Sequence, residues 1–171
     1  MDARRESEPT PMKNLTTVER KSERELVVTR TVNGPARLVF EAFAKPELFR
    51  QWWVPKSMGM SLLSCEMDVR VGGRYRLEFA YGDSQSAFFG TYKEVTPHSR
   101  LVWTNEESDE GSVTTVTFAE KGGKTLLVMH ELYPSKEALD AAGTGAADAM
   151  GETFEQLDEL LVTLGASVGR S

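Results

Sequence analysis

Short runs of alternating apolar and polar residues fill most of the chain, and one long stretch near its end switches to a helical period. Residues 25–32 (ELVVTRTV) are rich in β-branched side chains and predict a strand. Asn33-Gly34-Pro35 ends it, and Pro35 at a first helical position predicts a short helix with Val39, Phe40 and Phe43 on one face. Lys45-Pro46 breaks that helix, and residues 47–52 predict a second one that stops by Pro55. Six further strands are expected at 62–71, 74–81, 87–95, 100–104, 113–120 and 125–132. Gly72-Gly73, Gly82-Asp83, Pro97-His98, the 109–111 segment and Gly122-Gly123 separate them as turn signals. Connections this short favour an antiparallel meander.

The helical stretch carries Ala147, Met150, Phe154, Leu157, Leu161 and Leu164 at intervals of three and four. All but Ala147 are large, and each is worth about 1.5–3 kcal/mol when buried, so this face needs a partner. The meander is the main surface on offer. The expected architecture is therefore α+β: a curved antiparallel sheet wrapped around a long C-terminal helix, with two short helices near the N-terminus. Residues 1–24 show no apolar periodicity, and their six bases nearly balance five acids. They are expected to form a flexible tail ahead of a single domain at 25–165, with a C-terminal tail at 166–171.

Several stretches, in order, resemble a known family: VTRTVNGPARLVFEAFAKPELFRQWWVP, VGGRYRLEF, GTYKEVTPHSRLVWT, VTTVTF with GGKTLLVMHE, and MGETFEQLDELLVTL. Together they are similar to the START and birch-pollen-allergen-like (SRPBCC) superfamily, and most to its branch related to the C-terminal domain of the activator of the heat-shock protein 90 ATPase. The resemblance covers about residues 25–165 and implies the helix-grip fold. It also implies three classes of function. The leading one is a carrier or sensor domain that binds a small apolar or aromatic ligand in an internal cavity. The second is a pocket enzyme of the cyclase, dehydratase or hydrolase kind. The third is a chaperone-linked interaction domain, with a chaperone as partner.

Alternation selects the candidate lining of such a cavity. Tyr75, Leu77 and Phe79 share one strand face, Leu101 and Trp103 another, Val116 and Phe118 a third, and Leu127 and Met129 a fourth. Trp52 and Trp53 stand before Val54-Pro55, where one indole can anchor the short helices while the other faces a cavity mouth. The candidate ligand pocket is therefore Trp52, Trp53, Tyr75, Leu77, Phe79, Trp103, Phe118, Met129, Met150 and Phe154, with Trp103 expected to point toward Met150 and Phe154. Tyr75, Tyr92 and His130 are candidate polar groups in it. A filled core built from the same residues is the competing expectation. Gly90, inside a strand, predicts a bulge or the close approach of another backbone.

Composition narrows the chemistry. Hydrophobic residues are 40% and charged residues 27% of the 171, a globular balance. The net charge of −6 argues against nucleic-acid or anionic-lipid partners, which need a positive surface. No apolar run reaches membrane-spanning length, and no secretory signal is legible, so a cytoplasmic protein is expected. The single cysteine, Cys65, excludes an internal disulfide and fits a reducing compartment. It lies in a strand and reads as a small buried hydrophobe.

Of the two histidines, His98 is expected in a solvated turn, and His130 points away from its neighbour Glu131 on the same strand, which argues against a direct dyad. Glu66 and Asp68 share a strand face and suit either an acid–base pair or the solubility of an edge strand. Neither a metal-ligand motif nor a nucleotide-binding loop is present, so no metal and no cofactor are expected. The last strand is apolar on both faces, so the tail or a second copy of the chain, in a homodimer, is expected over its outer side.

Overall fold

The computed structural model describes residues 16–54, 56–106, 111–142 and 145–169. Its strands are β1 (Thr17–Arg20), β2 (Glu25–Val32), β3 (Met60–Met67), β4 (Arg74–Tyr81), β5 (Ser84–Thr96), β6 (Arg100–Thr104), β7 (Val113–Lys121) and β8 (Lys124–Leu132). They form one curved sheet in the order β1-β2-β8-β7-β6-β5-β4-β3, with every neighbouring pair antiparallel. From β3 to β8 each strand pairs with the next, which is the meander that the turn residues imply.

β2 and β3 follow one another in the chain yet stand far apart in the sheet. The connection between them must cross the concave face, and it does so as α1 (Ala36–Ala44), α2 (Pro46–Trp52) and a single 3₁₀ turn (Lys56–Met58). Pro35 takes the N-cap of α1, one position earlier than expected, and Pro46 opens α2. The helix α3 (Lys136–Ala142) leads into the long helix α4 (Gly145–Gly169). α4 lies against α1, α2, β1 and β2. Phe154, Leu157 and Leu161 are fully buried there, which places the predicted apolar stripe in the core. An α+β helix-grip fold results, as both the alternation and the resemblance require.

Two polar side chains lock α2 to α4. Gln156 donates from Nε2 to the carbonyls of Trp52 and Val54, both at 2.9 Å, and its Oε1 accepts the Lys56 N–H at 2.9 Å. These bonds satisfy carbonyls that the short helix α2 leaves open at its end. Glu152 accepts from the Ser57 hydroxyl and backbone N–H one turn earlier.

Thr17–Arg20 lies within the segment expected to be tail. It pairs with β2 through Thr17↔Thr29 and Arg20↔Leu26, and Arg20 forms an ion pair with Asp140 at 2.6 Å. The sheet therefore begins before residue 25. At the opposite edge, the register of β3 against β4 slips between Leu62 and Ser64, a bulge in the outermost strand. The helix α4 runs on to Gly169, past the expected start of the C-terminal tail at residue 166, and residues 1–15 and 170–171 of the expected tails lie outside the described residues.

Candidate functional site

The helical crossing does not fill the sheet's concavity. A cavity of about 50 Å³ remains where α1 and α2 face the β3–β6 half of the sheet. Phe43 comes from α1 and Phe49 from α2, with Trp53 just beyond it. Met67 comes from β3, Tyr75 and Leu77 from β4, Phe88 and Tyr92 from β5, and Trp103 from β6, with Asn105 just after it. Seven of these ten side chains are aromatic. Trp103 sits among Phe43, Tyr75 and Tyr92 with ring centroids 6.4–6.5 Å apart, so the rings form one continuous wall. Phe88 is 41% exposed and Trp53 half-buried, and these two line both the cavity and the outside. They mark its mouth.

Of the pocket residues expected from sequence, the structure brings together Trp53, Tyr75, Leu77 and Trp103. Trp52 is fully buried behind the cavity wall, its ring 4.8 Å from Phe43 and 5.4 Å from Trp53, and does not line the cavity itself: its indole N–H donates to the Ala42 carbonyl at 2.9 Å, and its ring stands 6.3 Å from Phe154. Phe79, Phe118, Met129 and Phe154 are buried in the core without lining the cavity, and Met150 packs on the core half-buried. Trp103 accordingly meets α1 and β4 rings, whereas the sequence expectation set it against α4. The apolar stripe of α4 is taken up by α1, α2 and β2, so the space that stays open is on the other side of the two short helices.

The far end of the cavity is polar. Tyr75 Oη donates to the Thr104 carbonyl at 2.8 Å and lies 3.1 Å from Asn105 Oδ1. The backbones come this close because of Gly90, which pairs with Tyr75 in the neighbouring strand. A Cβ on Gly90 would stand 1.8 Å from the Thr104 oxygen and 2.9 Å from the Tyr75 ring. The close approach expected at this glycine is thus what shapes the end wall.

Behind that wall runs a chain of hydrogen bonds. Asn105 Nδ2 donates to the Ser112 carbonyl at 2.9 Å, to Ser112 Oγ at 3.1 Å and to Thr114 Oγ1 at 3.0 Å. Both hydroxyls in turn donate to Glu131 Oε1, at 2.9 Å from Ser112 and 2.5 Å from Thr114. Thr114 and Glu131 are direct register partners. Nearby, burial first and the Glu131 charge second hold the Tyr133 hydroxyl above its ordinary pKa. Asn105, Ser112 and Thr114 went unnoticed in the sequence, and Glu131 was weighed there only as a partner for His130. The signal was there: Thr114 continues the inward face of Val116 and Phe118, and Glu131 continues that of Leu127 and Met129.

Other candidate groups stand apart. His130 faces away from Glu131 and meets Glu25 Oε2 at 2.7 Å. His98 is exposed in its turn at φ 68°, its ring edge-on to Phe40. Cys65 is half-buried beside Met67, and burial raises its thiol pKa, which disfavours the reactive thiolate. Asp68 is exposed and paired with Arg70 at 2.8 Å, and Glu66 is exposed on β3. Both border an open groove of about 590 Å³ on the charged outer surface, much wider than the aromatic cavity but without enclosing walls.

A family model described as Activator of Hsp90 ATPase homolog 1-like protein matches residues 33–162. Among solved structures, a Rhodobacter sphaeroides protein is similar at 22% identity and TM-score 0.78, over 87% of this chain and 99% of that one. A Nitrosomonas europaea protein is similar at 24% identity and TM-score 0.76, over 85% and 99%. A Staphylococcus epidermidis protein reaches 26% identity and TM-score 0.72, over 86% and 94%. These likenesses carry the fold. No curated protein matches the sequence significantly.

Proposed function

The chain belongs to the family of Activator of Hsp90 ATPase homolog 1-like proteins, and on that footing we propose that it is a binding domain for a small aromatic or apolar ligand, acting as carrier or sensor. The observation that carries this reading is the cavity lining. Seven aromatic side chains surround one amide and two tyrosine hydroxyls, the composition of a small-molecule site.

Catalysis has less support in the same lining. The ten lining residues include no carboxylate, imidazole, thiol or amine, and burial drives the Tyr92 hydroxyl far above its ordinary pKa. A general acid or base working near neutral pH needs a pKa near that range. The volume sets the guest's size. About 50 Å³ holds a few water-sized atoms, against the ~150 Å³ of a cavity that takes benzene, so even a single substituted ring has to move Trp53 or Phe88 aside.

Titration with toluene while following tryptophan emission tests the reading. A saturable change is expected, carried by Trp53 and Trp103 and lost when both are replaced by phenylalanine. No change at saturating toluene, in a protein that still melts cooperatively, overturns it.

The family's description favours a second reading, a chaperone-linked interaction domain. Its test is whether the pure protein raises the ATPase rate of an Hsp90-type chaperone. Stimulation without any response to toluene would move the assignment to that reading.

A further inference from the structure

The hydrogen-bond chain behind the cavity has a direction, and the direction fixes what the cavity can recognise. An ionised carboxylate offers only lone pairs. Glu131 Oε1 therefore takes the single hydrogen of Ser112 Oγ and the single hydrogen of Thr114 Oγ1. Each hydroxyl then has only lone pairs to turn toward Asn105. The Asn105 amide must answer with its NH₂ group, and Nδ2 does reach both hydroxyls and the Ser112 carbonyl. That orientation leaves Oδ1 as the amide atom on the Tyr75 side, where the cavity lies. The Tyr75 hydroxyl spends its one hydrogen on this same end wall, closest to the Thr104 carbonyl.

We propose that the Ser112 carbonyl, which can only accept, and the two hydroxyls whose hydrogens Glu131 takes together set the polarity of the Asn105 amide so that the cavity end accepts hydrogen bonds, and that the ligand is a single-ring aromatic whose head group donates one, such as an alcohol, phenol or amine. Asn105 is the contact, held in its orientation by the Ser112 carbonyl directly and by Glu131 through the two hydroxyls. The head group meets Asn105 Oδ1, and the ring lies toward Trp53 and Phe88. A ligand of the same shape whose head only accepts sets two lone pairs against each other and leaves both buried without a hydrogen. The inference rests on the cavity reading above and adds a chemical class to it.

Benzyl alcohol and benzaldehyde form a shape-matched pair, the first able to donate, the second only to accept. Calorimetric titration of the full chain should find benzyl alcohol bound about tenfold more tightly or better, the usual consequence of leaving a buried polar group unpaired. In Glu131→Gln the Ser112 carbonyl still requires an N–H from Asn105, and the new side chain's oxygen can still accept from the two hydroxyls, so Asn105 keeps its orientation. The preference for benzyl alcohol should survive in that variant, and its inversion would overturn the orientation assigned to Asn105. Asn105→Leu keeps the volume and removes the acceptor, so it should bind both equally; it decides the matter if the Glu131→Gln variant fails to melt cooperatively. Equal binding of the pair to the native protein overturns this inference and leaves the cavity reading standing. Binding of neither, and no response to toluene, overturns both.

Discussion

Arg30 on β2 and Asp158 on α4 meet inside the protein: Nε and Nη2 of Arg30 both donate to Asp158 Oδ2, at 3.0 and 2.7 Å. Asp158 Oδ1 accepts the Asn33 N–H at 2.7 Å, and Arg30 Nη1 donates to Thr16 Oγ1 at 2.8 Å. One carboxylate thus ties the long helix to the sheet and to the turn that opens α1.

Removing half of this pair should be costly. Asp158→Ala leaves a buried guanidinium without its carboxylate, a loss of about 3–5 kcal/mol for such pairs. The double variant Arg30→Met, Asp158→Leu should recover part of that loss but not all, because Asn33 still loses its acceptor. Denaturant melts arranged as a double-mutant cycle measure both.

Phe154→Ala should cost about 3–5 kcal/mol, since it opens a void at a fully buried aromatic position. Its ring adjoins Trp52 and not the cavity wall, so toluene binding at saturation should survive in the folded fraction. Urea melts with and without toluene separate the two effects.

Deleting residues 1–21 removes β1, the Arg20–Asp140 ion pair and the Thr16 bond to Arg30. The melting temperature should fall by at least the ~2–4 °C that 1 kcal/mol represents in a domain of this size. An unchanged melt would mean that the paired edge strand adds nothing.

Stability should fall in acid through a group of surface carboxylates. The His130 ring and then the Ser22 hydroxyl hold Glu25 below its ordinary pKa, and Lys136 and Arg20 do the same for Asp140. A carboxylate with a depressed folded pKa contributes stability that is complete above its unfolded value, about 4, and is lost as pH falls through the folded one. Melting temperature should therefore decline below about pH 4, less steeply in Glu25→Gln and Asp140→Asn. High salt should flatten the difference, more for the exposed Asp140 pairs than for the half-buried Glu25–His130 pair.

Most of the fold was legible from alternation and turn residues, and the reason is physical. A strand with one buried face repeats every two residues, so 74–81 and 100–104 coincide with β4 and β6 to the residue. The stripe on α4 was equally plain. β1 was not legible: the run TVER carries one half-buried valine, and its place in the sheet comes from pairing with β2 and not from its own pattern. α3 is short, and among its described side chains Ala138 and Leu139 are the buried ones, too little for a period to show. The cavity was half legible. Alternation tells which residues point inward, but not where helices leave the interior empty, so the core residues Phe118, Met129 and Phe154 and the cavity residues Tyr75 and Trp103 look alike in sequence.

Among the described residues the sheet does not close on itself, and its β3 edge leaves a row of backbone groups without a strand partner over Met60–Met67. An open row of this kind is a template onto which a foreign strand can be added, and repeated addition is how fibrils grow. The bulge between Leu62 and Ser64 interrupts the template partway along. A strand docking on Met60–Leu62 would fall out of step with the donors and acceptors beyond Ser64, and its side chains would swap faces there. The slip in register therefore works as a stop for self-templated growth. Restoring an even ladder by deleting Leu63 should convert a quiet edge into a seed.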